Sequence, residues 1–205
     1  MLTRNIFFQN FRVKKIKINK KNKIIKNIKK EVSNKNNLLF SFTEKYNHSY
    51  NRNKIVKLRK KFSIINLIGM GGSILGSKAI YFFLKNRIKK KFIFFDNLIN
   101  LRENLKNKTK MLNVVIYKSG NTLETIINTN IKHKKNDKNL IITENNRNFL
   151  RELAMILKAE VIEHKNYIGG RYSVLSEVGM LPADLMGLKV MKFKRMNYLI
   201  NKPKF

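Results

Sequence analysis

With 205 residues, 43% of them hydrophobic and 10% aromatic, the chain has material for one buried core, which excludes wholesale disorder and two full α/β domains. Its 45 Lys and Arg against 12 Asp and Glu give a formal charge of +33, pointing to an anionic partner and, by default, to nucleic acid. The lack of cysteine excludes disulfides, thiolate nucleophiles and cysteine-based zinc sites.

Residues 12–35 are basic, and the isoleucines at 24, 25 and 28 fit a helical stripe with Lys and Asn on the other faces. This predicts a solvated helix in an N-terminal extension over 1–60; a polybasic membrane or RNA arm is the alternative. From residue 61 the pattern changes. SIINLIG (63–69) is an apolar run ending in glycine, the mark of a strand covered on both faces, and 74–87 follows as an amphipathic helix. Further strands are predicted at 91–95, 113–117, 139–143 and 159–163, with helices over 98–108, 121–134, 148–158 and 173–187. Strands of about five residues alternating with helices of ten or more require parallel pairing, because parallel neighbours need crossover connections. The expected fold is α/β, a doubly wound parallel five-stranded sheet filling 61–190, with a basic tail over 191–205.

Ligands of such sheets bind beyond the carboxyl ends of the strands. Three loops stand out there. Gly69–Ser73 follows the first strand and opens a helix, so its backbone amides can approach an anion. It departs from a dinucleotide fingerprint, because Ile74 stands where the third glycine belongs, and it lacks the Lys and Ser/Thr of a P-loop. A plain tight turn is the alternative. Lys118, Ser119, Asn121 and Thr122 gather an ammonium, two hydroxyls and an amide at a helix start, a fit for a phosphomonoester beyond what N-capping alone requires. In Gly169-Gly170-Arg171 a guanidinium stands beside close-packed backbone; it either stabilises negative charge on a substrate oxygen or forms a structural pair with Glu177.

Three stretches, IGMGGSILGSKAI, VVIYKSGNTLETI and YIGGRYSVLSEVGMLPADLMGL, occur in that order within about residues 62–188. Together they resemble the sugar isomerase (SIS) domain of the glucose-6-phosphate isomerase family, a flavodoxin-like fold. The resemblance implies that Gly72 and Ser73 line a sugar-phosphate site, that Lys118, Ser119 and Thr122 hold the phosphate, and that Arg171 stabilises a cis-enediolate. Tyr117 departs from the serine that many members carry there. The implied reaction interconverts glucose 6-phosphate and fructose 6-phosphate without cofactor or metal, in the cytoplasm, in glycolysis and gluconeogenesis. Members are usually homodimers. Their catalytic glutamate, ring-opening histidine and lysine come from later sequence, so this chain is expected to hold the phosphate-binding half of the site and to lack the base. A stand-alone SIS module binding a sugar phosphate as a regulator or partner is the alternative.

Other features weigh against the remaining classes. Lys, Asn and Ile are enriched together along the whole chain, which fits compositional drift better than a dedicated nucleic-acid surface. His48, His133 and His164 show no metal-binding spacing, and no apolar run reaches the roughly 18–20 residues that span a bilayer.

Overall fold

The computed structural model describes residues 18–97, 110–118, 127–129 and 137–201. Among the described residues there are five short strands: β1 (Ile64–Gly69), β2 (Lys91–Phe95), β3 (Leu112–Ile116), β4 (Lys138–Glu144) and β5 (Glu160–His164). They pair in the order β2-β1-β3-β4-β5, every neighbour parallel. The helices are α1 (Ile18–Ser33), α2 (Arg52–Lys61), α3 (Leu75–Phe83), α4 (Phe149–Ile156), α5 (Glu177–Leu185) and α6 (Met196–Ile200). The doubly wound parallel sheet expected from the alternation is therefore present. The helix expected over 98–108 lies outside the described residues, and of the one expected over 121–134 only 127–129 is described, as helix.

Alternation along each strand sends side chains to two apolar layers. Ile65, Leu67, Val114, Ile116, Leu140 and Ile142 pack with Ile55 of α2 and with Val178, Leu181 and Leu185 of α5. Ile68, Val115 and Ile141 point the other way, onto Leu150, Leu153 and Ala154 of α4. Burial on both faces is why the strands read as continuous apolar runs. Among the buried polar exceptions, Asn66, Asn113 and Asn139 are aligned side by side in register. Asn66 Nδ2 donates to Asn113 Oδ1 at 2.8 Å, and Asn113 Nδ2 donates to Asn139 Oδ1 at 3.0 Å.

Two expected helices give way to 3-10 turns over part of their predicted length. The one expected over 74–87 is α-helical only to Phe83 and ends in a 3-10 turn over Lys85–Arg87. The one expected over 173–187 starts as 3-10 turns over Gly170–Leu175, and Ser176 then adopts an extended backbone before α5 begins. Its hydroxyl accepts the Val178 amide at 3.4 Å, so the cap resets the chain direction between the two helical segments. Within α5, Pro182 has no N–H to offer the carbonyl of Val178 four residues earlier. Ser77 of α3 donates its hydroxyl to that carbonyl at 3.3 Å. The defect in one helix is thereby repaired by its neighbour.

The segment before β1 is bound to α5 through buried polar groups. Tyr46 Oη donates to Glu177 at 2.8 Å, and the Ser49 amide adds a bond at 3.1 Å. Tyr50 Oη donates to Asp184 at 2.8 Å, with Arg52 Nε 3.2 Å from the other carboxylate oxygen. Lys194, in the stretch expected to be a basic tail, is fully buried. Its ammonium lies 4.2 Å from the centre of the Tyr46 ring and donates to Ser41 O at 2.8 Å.

Candidate functional site

From β1 the chain moves out to β2 on one side and returns to β3 on the other, so the winding reverses between β1 and β3. Loops leaving adjacent strands in opposite directions open a crevice at their carboxyl ends, where ligands of such sheets bind. A cavity of about 580 Å³ lies there. Its lining includes Gly72, Ser73, Tyr117, Lys118, Glu144, Gly170, Arg171 and Tyr172. All three loops singled out in the sequence therefore reach one place, though Ser119 and Thr122 lie outside the described residues.

The first loop leaves β1 through a 3-10 turn, Gly71–Ser73, with Gly71 at φ +52°, a conformation that costs a residue with a Cβ. Gly72 is required for a different reason. A Cβ there would fall 2.2 Å from Gly170 O and 2.6 Å from Gly170 C, so the first and third loops touch through bare backbone. Ser73 is 8% exposed, and its hydroxyl has no hydrogen-bond partner among the described residues. Buried hydroxyls are ordinarily bonded, so one of this kind at a cavity wall is suited to a polar ligand.

The third loop is braced at both ends. His164 Nε2 lies 3.1 Å from Ile168 O, and Ser173 Oγ donates to Gly170 O at 2.7 Å. Arg171 and Tyr172 project outward from this frame, Tyr172 with 59% of its surface exposed. Arg171 does not pair with Glu177, which corrects the structural alternative considered for it. Glu177 is fully buried and is held by Tyr46 and Ser49, with His164 Nδ1 3.8 Å away. Burial pushes its carboxyl up, but His164, the backbone amides, including that of Ser49, and the Tyr46 hydroxyl outweigh this and hold it below the usual carboxylate range. With Glu177 so engaged, the Arg171 guanidinium has no carboxylate partner among the described residues and faces the cavity.

Lys118 follows β3. Its carbonyl accepts from the Glu144 amide and from Thr143 Oγ1, both at 3.1 Å, which ties the second loop to the end of β4. Its ammonium donates to Asn166 O at 3.1 Å and lies 3.1 Å from Glu144 Oε1. Tyr117 does two things at once: its ring packs against the layer containing Ile68 and Val115, and its edge lines the cavity. Glu144 was not singled out in the sequence. The signal for it was its place as last residue of a strand, at the carboxyl edge where site residues collect.

A five-stranded parallel sheet wound in this order, with a cation-lined cavity over its reversal, has the flavodoxin-like α/β fold of the SIS type. Solved structures agree on the fold: a hypothetical protein of Thermus thermophilus superposes with a TM-score of 0.66 at 19% identity, covering 84% of this chain and 46% of that one. Tagatose-6-phosphate ketose/aldose isomerase of Escherichia coli gives a TM-score of 0.53 at 18% identity, covering 70% and 43%. The chain belongs to the phosphoglucose isomerase family, whose model, described as "Phosphoglucose isomerase", matches residues 9–198. Similar curated proteins include the glucose-6-phosphate isomerases of Acholeplasma laidlawii, 35% identical over 158 residues, and Mycoplasma capricolum, 32% identical over 178. Those alignments take in 68% and 74% of this chain but only 37% and 42% of the relatives.

Proposed function

We propose that the cavity binds a sugar phosphate and that the chain supplies the phosphate-holding and charge-stabilising part of aldose–ketose isomerisation between glucose 6-phosphate and fructose 6-phosphate. The observation that carries this is the convergence on one crevice of the Ser73 hydroxyl, the Lys118 ammonium and the Arg171 guanidinium, the first and last without a partner among the described residues. In this reading Ser73, the Gly72 backbone and Lys118 take the phosphate oxygens, together with Ser119 and Thr122 of the same loop as Lys118. Charge-assisted bonds to phosphate are the strong ones, and backbone amides at a helix start add to them.

Arg171 reaches the cavity from a different loop than this cradle, and it has a permanent positive charge. Moving a proton between C1 and C2 puts negative charge on the enediolate oxygens, and a guanidinium already in place lowers the cost of that charge. Glu144 is the carboxylate among the described lining residues, and it is bonded to Lys118 at the phosphate side. The chain's own contribution is therefore binding and charge stabilisation, with proton transfer left to a group outside this lining.

Calorimetric titration with fructose 6-phosphate, glucose 6-phosphate and unphosphorylated fructose tests the reading. Both phosphates should bind and fructose should not, and Lys118→Ala should weaken both phosphates alike. The absence of heat and of any thermal shift with either sugar phosphate at millimolar concentration would overturn it.

A further inference from the structure

Lys118 enters the cavity already engaged. Among the described residues its ammonium has two partners, Asn166 O and Glu144 Oε1, each at 3.1 Å, of the three that its hydrogens can serve. Glu144 is pinned in turn. Its other carboxylate oxygen accepts the Asn146 amide at 3.3 Å, its main-chain amide donates to Lys118 O, and its carbonyl accepts Arg151 Nε at 2.9 Å. Its backbone is thus anchored, and its carboxylate, 12% exposed, has a partner on each oxygen. It also lines the cavity.

We propose that Glu144 is an affinity-setting residue: a fixed internal anion that competes with the ligand phosphate for Lys118 and holds binding weaker than the cations alone would give. This rests on the sugar-phosphate reading above. A phosphomonoester dianion close enough to use Lys118 meets the Glu144 charge at similar range, so the carboxylate opposes each of its two charges. The opposition falls when the ligand carries one charge and vanishes for a neutral one. A looser grip shortens the stay of either sugar phosphate. The same ion pair leans Lys118 toward Asn166, three residues before Gly169, so the carboxylate also sets where the ammonium waits.

Titration of the wild-type chain and Glu144→Gln with inorganic phosphate and with fructose 6-phosphate decides the matter. Glu144→Gln should bind the dianion about tenfold more tightly, with a smaller gain for the monoanion at lower pH and a steeper loss of affinity with salt. Glu144→Ser serves as a second variant should the glutamine form be unstable, and melting temperatures verify that both fold. A wild type that binds phosphate while both variants bind equally or more weakly would overturn this proposal and leave the sugar-phosphate site standing. Failure of wild type and variants alike to bind either ligand would remove the site and the competitor together.

Discussion

The contact between the first and third loops can be broken with one methyl group. In Gly72→Ala the new Cβ would lie 2.2 Å from Gly170 O, 2.6 Å from its carbon and 3.0 Å from the Arg171 nitrogen, all backbone atoms. None of these is the free end of a flexible side chain. Restoring even a 3.0 Å contact forces the loops apart by about 0.8 Å, and overpacking of this kind costs about 1–3 kcal/mol. The displacement falls on the peptide that carries Arg171, and misplacement by about 1 Å at a reacting centre can lower rates by about 100-fold. Gly170→Ala is the matched control, since a Cβ there meets nothing within 4 Å. Thermal melting and phosphate calorimetry on the two variants should show a clear drop in stability and affinity for Gly72→Ala and little loss of stability for Gly170→Ala. Equal behaviour of the two would refute the idea that bare backbone contact sets the spacing of the site.

Three further outcomes follow from the buried polar groups. Burial lowers the Lys194 ammonium to about 8 despite the attraction of Glu177; the unfolded chain therefore holds this proton up to about 10.5, and stability should rise with pH between about 8 and 10, by up to about 3 kcal/mol. Denaturant melts should show that rise in the wild type and not in Lys194→Met; above pH 10 the buried phenols of Tyr46 and Tyr50, both pushed up by burial, begin to favour unfolding. Glu177 works in the opposite sense: held below its ordinary value, its contribution is present above about pH 4.5 and is lost as pH falls, so Glu177→Gln should be less stable at pH 7 and lose less between about pH 5 and 3. Ser77→Ala should cost about 1 kcal/mol by leaving the Val178 carbonyl unmet, roughly 2–4 °C in Tm, and adding Pro182→Ala should recover it by restoring the helical amide.

How much could be read from the residues varied with how local the cause was. SIINLIG, KFIFF and NLIIT were recognisable as strands because burial on both faces makes them short, mostly apolar runs rich in branched and aromatic residues, and β2 matches its expected bounds of 91–95. The glycines of the first loop were legible too, since Gly71 and Gly72 answer to a local turn and a close approach. The start of α5 was misplaced because Ser176, a favoured N-cap followed by Glu177 in the first turn, sits inside a pattern that otherwise reads as one continuous helix. Glu144 was hidden for a topological reason: only the adjacency of β3 and β4 brings it to Lys118, 26 positions away in sequence. Glu177 lies six residues from Arg171 and was the natural candidate partner, yet its oxygens are taken by Tyr46 and Ser49 from far up the chain. Lys194 looks like one more solvated cation among 45, and only the packing of Tyr46 and Ser41 around it shows otherwise.

The three aligned asparagines bear on a problem that drift toward isoleucine creates. IINLIG, LNVVI and NLIIT are so alike that, judged by apolar burial alone, one strand could slide two places along its neighbour and still present branched aliphatic side chains to the same layer. The amides remove that degeneracy. Shifting β3 by two residues would set Asn66 against Met111 or Val115 and strand Asn113 as well, at about 1–3 kcal/mol for each amide left without a partner. Three polar residues in the middle of the sheet thus act as an index mark, giving near-interchangeable strands a single alignment. They thereby fix which loop ends meet at the carboxyl edge, where Ser73, Lys118 and Arg171 line one cavity.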